Sequence, residues 1–416
     1  MSRPPTVPRD LERASIVGAD DRAVEVAPVA APATPREWLR QNLFSSWANG
    51  LLTVVTSAVL LYLVFRLLRF VFVSADWSVL KANLRVYMTG RFPVEELWRV
   101  WAAVYLVTAL AGISRGMLVR TRWTVAKVLS VAVPVVLLIG ALLYLVESAR
   151  VWLLLGVAVA VYVVGTVMGR RLGPARRAPL LVAWVLAFPA VIVILRAFDG
   201  VKPELWGGFL LNIIVATVAI FASFPLGLLL ALGRRSRLPA VSAFSVGFIE
   251  VIRGVPLVAW LFFGQFVLPL LLPPGLDLPN IVRAMIMFTI FSAAYVAEIV
   301  RGGLQGVPEG QYEAARALGL RPARMMALVI LPQALRSTIP AMISHFISLF
   351  KDTSLLAALG LFSELLRNAR RASAAIDFIG LQAEALLPAA LIFWVVAFSM
   401  SRWSQRVEVR VGVGVR

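Results

Sequence analysis

The sequence predicts an all-α, polytopic membrane protein with about ten transmembrane helices, and three observations carry that reading. Sixty per cent of the 416 residues are hydrophobic, well above the roughly 45–50% apolar share of soluble domains. Mean hydropathy is strongly positive. The apolar residues also come in unbroken runs of about 20, the length that crosses a hydrocarbon core, instead of recurring at helical or strand spacing.

Residues 1–48 read as a disordered cytoplasmic tail, since Pro4, Pro5, Pro8, Pro28, Pro32 and Pro35 stand among mixed charges with little apolar content. The first apolar run starts near residue 50, too late and too long for a cleavable signal peptide, so it is expected to be retained. Runs bounded by charges follow at 50–73, 98–119, 127–147, 151–169 and 178–197, then at 208–232, 244–271, 281–300, 336–357 and 384–403. Lys and Arg fix the orientation. Arg120, Arg122 and Lys127, then Arg170, Arg171, Arg176 and Arg177, then Arg234, Arg235 and Arg237, then Arg301, Arg316, Arg321 and Arg324, and finally Arg402, Arg406, Arg410 and Arg416 all fall on one side. That side is the cytoplasm, and it holds both termini. The loops Phe198–Glu204 and Leu272–Pro279 face outward, and the stretch 74–97, with Trp77, Tyr87, Arg91 and Trp98, suits an outer interface.

Composition also excludes classes. The net charge of +19 is spread over short loops between apolar runs, the pattern of topology signals and not of a nucleic-acid surface. No cysteine is present, which removes disulfides, thiolate metal sites and cysteine nucleophiles. One histidine leaves little from which to build a catalytic constellation or a metal site. A phosphate-cradling Gly-x-x-x-x-Gly-Lys-Ser/Thr run is absent, so this chain is not expected to hydrolyse ATP. The polar and helix-bending residues gather in the second half. Residues 49–200 read as an amino-terminal extension of about five spans, 205–405 as a working core and 406–416 as a cytoplasmic tail. Gly112 and Gly116, four apart, form a small-residue pair that permits close helix contact or stands there by chance.

The most informative stretch is the cytoplasmic loop 307–332. Pro308 can start a helix, Glu309 and Glu313 favour its first turns and Gly319 can end it, giving one helix of about ten residues. A second helix is expected from Pro322 to Pro332. Together they form a rigid knob for a groove on another protein, with Ala314 and Ala315 removing bulk where it seats. Within the loop, Glu313, Ala314 and Ala315, then Gly319, then Val329, Leu331 and Pro332 follow the pattern Glu-Ala-Ala, three residues, Gly, nine residues, Ile-x-Leu-Pro, with Val in place of Ile. On these residues the chain resembles the permease subunits of ABC importers. The stretches 248–258, 294–305 and 347–355 are similar to segments of the polar-amino-acid branch, and 88–96 resembles the larger of two permeases in general L-amino-acid importers, here with two extra spans at roughly 127–170.

The resemblance implies a type I importer core of five spans whose loop docks on a nucleotide-binding subunit. It further implies two copies of that ATPase, which bind ATP and Mg; a second homologous permease, with a heterodimer favoured; a periplasmic amino-acid-binding protein; an L-amino acid as substrate; and a lipid setting in the bacterial inner membrane. No cofactor is expected in this chain. A permease for another small zwitterion, or an ion-coupled secondary transporter, are the alternatives; the latter calls for inverted repeats, and none relates the two halves.

Ionisable groups inside a span cost about 2.5–3.5 kcal/mol each on insertion scales, so they need partners or a wet cavity. Ser344, Ser348 and Lys351 follow i, i+4, i+7, and His345, Ser348 and Asp352 follow i, i+3, i+7, which predicts one broad polar stripe on the ninth span. Lys351 can meet a substrate carboxylate, and Asp352 or a neighbouring carboxylate its ammonium, with His345, Ser348 and Thr353 beside them. The competing reading has Lys351 snorkel to the headgroups and Asp352 cap the next helix through Thr353 and Ser354. Glu298 with Arg301, and Glu250 with Arg253, stand three apart; each couple forms a local ion pair or stabilises a gate. Pro225, Pro256 and Pro269 are placed to bend helices around a pathway.

Overall fold

The computed structural model describes residues 34–118, 148–173 and 177–412, and every named element there is a helix. The chain divides into two compact units, Met1–Ala75 and Asp76–Arg416. Eight described helices are long and apolar enough to cross a membrane, nine with a bent pair counted as one span. These overlay nine of the ten expected runs. The third, 127–147, lies outside the described residues, as do residues 1–33 of the expected tail and Arg120, Arg122, Lys127, Arg176 and Arg416.

In the first unit, α1 (Pro35–Asn42) forms inside the stretch expected to be disordered. Its start is a reciprocal cap: Thr34 Oγ accepts from the Glu37 amide at 3.3 Å, and the Glu37 carboxylate accepts from the Thr34 amide at 2.9 Å. With Pro35 at the first position, that chemistry corrects the disorder reading for 35–42. α2 (Trp47–Arg69) is capped by Ser46 and continues through a π turn, Phe70–Ser74. None of its described residues is buried, and its length and hydropathy suit a membrane span.

The second unit begins with α3 (Ser78–Thr89), α4 (Leu97–Leu118), α5 (Ala149–Leu172) and α6 (Arg177–Arg196). Gly112 and Gly116 of α4 meet Gly165 and Gly169 of α5 so closely that a Cβ on any of the four would overlap the facing backbone. Lipid gives helices no hydrophobic drive to associate, so this approach, which maximises dispersion, is what holds them. Buried Arg99 pairs with Glu96 at 2.6 Å and donates to the carbonyls of Ile194 and Ala197 at 2.8 and 2.9 Å, capping the end of α6.

The remaining helices are α7 (Gly208–Arg234), α8 (Pro239–Gly254), α9 (Leu257–Leu271), α10 (Asn280–Gln305), α11 (Glu309–Ala317), α12 (Pro322–Ala357), α13 (Leu365–Ser373) and α14 (Gln382–Val411). One apolar cluster, with Leu211, Val215, Phe288, Leu349 and Leu356, fills the half away from α11. A second, with Val296, Val300, Leu304, Ile330 and Ala334, fills the half that α11 covers.

Two expected boundaries move. The run 244–271 is not one straight span, because α8 and α9 meet at 102°. Val255 is extended, as a residue before proline prefers, and Pro256 has no amide with which to continue the ladder. Pro225, by contrast, sits inside an unbroken α7. The helix expected to stop at Pro332 runs on: Met326–Ile330 is a π turn, Leu331 donates to Met326, and α12 is continuous over 36 residues. The widened turn absorbs the donor that Pro332 lacks. Tyr87 also differs from expectation. It is fully buried, its hydroxyl donates to the Ala385 carbonyl at 2.9 Å, and burial pushes its phenol up to about 12. α13 and α14 cover α3, so this ring is core and not an interfacial anchor; Trp98 stays exposed.

Candidate functional site

The knob forms much as its residues predict. α11 is nine residues long, Pro308 precedes it in extended geometry, and Gly319 follows at φ 71°, a conformation that favours glycine. Tyr312 and Ala315, three apart, face inward: Ala315 is 2% exposed, and the Tyr312 hydroxyl bonds the Leu304 carbonyl at 3.4 Å and accepts from Arg235 at 3.2 Å. Gln333 on α12 donates to Gln311 at 3.0 Å. The opposite face carries Glu313, Ala314 and Ala317 in the open, and Leu318 is 80% exposed. Ala315 therefore lets the knob sit on its own core, while Ala314 belongs to the free face. Leu331 is partly covered, Pro332 exposed.

Glu250 and Arg253 do not pair with each other, which corrects the local reading of their spacing. Glu250 takes Arg234 of α7 at 3.3 Å, and Arg253 reaches Glu298 of α10 at 3.5 Å. Glu298 also pairs with Arg301, as its spacing predicts, and lies 3.6 Å from Arg234. Five half-exposed charges thus tie three helices together near the knob. The bend at Pro256 explains the geometry: α8 lies over the end of α7, with Ser242 bonded to the Arg234 carbonyl at 3.1 Å.

The polar residues of α12 split between two faces. His345 turns into the chain, 2.9 Å from Ser292 Oγ, which donates to Ser223 Oγ at 2.9 Å. Its ring stacks on Tyr295 with centroids 5.4 Å apart, and the Arg253 guanidinium stands over the same Tyr295 ring, 5.5 Å from its centroid. A continuous line therefore runs from mid-span His345 to the charged cluster. Ser344, Ser348 and Lys351 form an exposed stripe. Asp352 is half-buried and makes no side-chain cap. Thr353 is buried, donating to the Phe350 carbonyl at 2.6 Å and accepting from Asn212 at 3.1 Å.

A family model for the inner membrane component of binding-protein-dependent transport systems matches residues 223–413. The inner membrane amino-acid ABC transporter permease protein YhdY of Escherichia coli K12 is 35% identical, with 91% of this chain and 93% of that protein covered. The chain belongs to the ABC transporter permease family. The glutamate/glutamine/aspartate/asparagine transport system permease protein BztC of Rhodobacter capsulatus is 36% identical to this permease, covering 93% of it and 96% of its relative. A crystal structure of an amino acid ABC transporter aligns with 55% of the permease at 28% identity and a TM-score of 0.44.

One site of the permease escaped the sequence reading. At the end away from α11, Glu364 has no exposed surface, accepts from the amides of Leu366 and Arg367 at 2.8 and 2.5 Å, and so starts α13. Asn212 joins it to Thr353 and accepts from the Leu365 amide at 3.2 Å. Burial raises the Glu364 carboxyl above its usual range, against the pull of those amides. The signal available was a lone Glu before a helix, too common to single out.

Proposed function

We propose that this permease imports L-amino acids as one half of an ATP-driven transporter, moved by an ATPase that it engages through α11. The observation that carries the proposal is the two-faced build of that helix: Tyr312 and Ala315 bolt it to the core, while Glu313, Ala314 and Leu318 are left for another protein. ATP and Mg belong to that ATPase, present in two copies, and a periplasmic binding protein delivers the substrate. Relatives named for amino-acid transport support the substrate class.

In this reading α11 and both termini face the cytoplasm, and the permease pairs with a homologous partner. The exposed stripe of Ser344, Ser348 and Lys351 then closes the pathway against that partner, with Lys351 meeting the substrate carboxylate. Asp352 meets its ammonium, and His345 with Thr353 supports the wall from behind. Nucleotide-driven closure draws the two knobs together and shifts α7, α8 and α10 through the cluster of Arg234, Glu250, Arg253, Glu298 and Arg301, which acts as the gate. The test is Glu313→Lys in the reconstituted transporter. ATP-coupled uptake is abolished while membrane insertion persists; unchanged uptake removes α11 from the coupling role.

A further inference from the structure

The helices of the amino-terminal half do not close fully against the core. Between α4, α6 and α7 lies a cleft of about 450 Å³, whose walls include Val100, Val104, Phe188, Val191, Ile213 and Phe221. Apart from Thr217, its polar wall residues turn their groups elsewhere. Thr89 donates to the Arg85 carbonyl at 3.0 Å, Thr108 to the Tyr105 carbonyl at 3.1 Å, and the Trp184 indole to Ser114 at 2.8 Å. A zwitterionic substrate would lose its water there and gain little in return.

The cleft has a direction. Along α7 its wall runs from Phe209 to Phe221, about 18 Å of helix, which is close to the depth of one leaflet's hydrocarbon, half of about 30 Å. Phe188 and Phe221 stack with centroids 5.7 Å apart at one end, and Met88 and Thr89 stand at the other, the end away from α11. All three wall helices are membrane spans, so the medium at the mouth of the cleft is hydrocarbon, and an empty cleft would forfeit the dispersion contacts of its lining.

We propose that the cleft between α4, α6 and α7 is a binding site for one acyl chain of a membrane phospholipid, drawn from the leaflet opposite α11. The tail fills the seam between the amino-terminal helices and α7, where side chains alone leave a gap. It serves as a structural ligand, distinct from the transported solute.

The test uses the complete transporter in vesicles of phosphatidylethanolamine and phosphatidylglycerol, doped with a phosphatidylglycerol carrying a diazirine in mid-tail. After photolysis, mass spectrometry maps the adducts. Val104, Phe188 and Ile213 are labelled several-fold more than Leu181 and Val185, which lie exposed on α6. Ala187→Phe, which fills the cleft, removes most of that labelling, and Val185→Phe leaves it intact. Should Ala187→Phe fail to assemble, the wild-type pattern decides alone. Labelling of the cleft walls no stronger than that of the exposed face, whether the cleft is vacant or filled by protein, overturns the proposal.

Discussion

At the end of the permease core away from α11, backbone meets backbone: the Gly208 amide donates to the Ser363 carbonyl at 2.6 Å, and Gly90 lies directly over Gly207. At the α11 end, α7, α8 and α10 share a buried apolar cluster and, beside it, pair across one another through partly exposed arginine and glutamate side chains. The two kinds of contact respond differently to movement. Breaking a buried hydrogen bond leaves a desolvated group and costs about 1–3 kcal/mol, whereas a half-exposed ion pair exchanges with water or a neighbour for about 1 kcal/mol or less. The ion pairs are therefore the contacts at the α11 end that exchange most readily, which suits them to rearrange if a push on α11 tilts helices about the backbone-locked far end.

Substitutions at the two ends should separate accordingly. The largest effect is expected for Gly90→Ala, at φ 62° with a Cβ placed 2.5 Å from the Gly207 Cα. A positive φ with ψ −121° is sparsely populated by residues other than glycine and costs about 1–3 kcal/mol, and the overlap adds to it, so thermal melting of the purified permease should show a clear loss; an unchanged melt would break the contrast. Glu364→Ala comes next, at about 1–3 kcal/mol, since two amides lose their acceptor.

The Glu364 carboxyl is raised in the fold, so its contribution is greatest when protonated and declines as pH rises from its unfolded value through its folded one. Mild acidification should therefore raise the melting temperature, and Glu364→Gln should remove that dependence. Arg253→Ala should change stability by about 1 kcal/mol or less, yet uncouple ATP hydrolysis from uptake; a large loss of stability with coupling retained would reverse the proposed roles of the two ends. The smallest effect, within about 0.5 kcal/mol, is expected for Gln333→Ala at its exposed bond to Gln311.

Local chemistry made some of this legible in the sequence, and distance hid the rest. Apolar run length located the spans, because a bilayer sets one length for all of them. Pro308 and Gly319 bounded α11 correctly, since each acts through its own backbone. Proline elsewhere was ambiguous: Pro225 is tolerated, Pro256 breaks a helix and Pro332 follows a π turn, and only the neighbouring turns decide. The spacing of Glu250 and Arg253 suggested a local pair, but their partners come from other helices. Tyr87 and Ala385, or Asn212 and Glu364, are joined across long stretches of chain that no local pattern records. For the polar stripe of α12 the helical period predicted one face, whereas His345 packs on Ser292 and Tyr295 of α10, away from the exposed Ser344, Ser348 and Lys351.

In the proposed transporter the ATPase covers the free face of α11. The permease has no cysteine, so Leu318→Cys provides a single reactive thiol at an exposed site. Maleimide should label it readily in the permease alone and poorly once the ATPase is bound, while a control cysteine at the exposed Leu270 stays equally reactive in both. Equal labelling of residue 318 with and without the ATPase would contradict the claim.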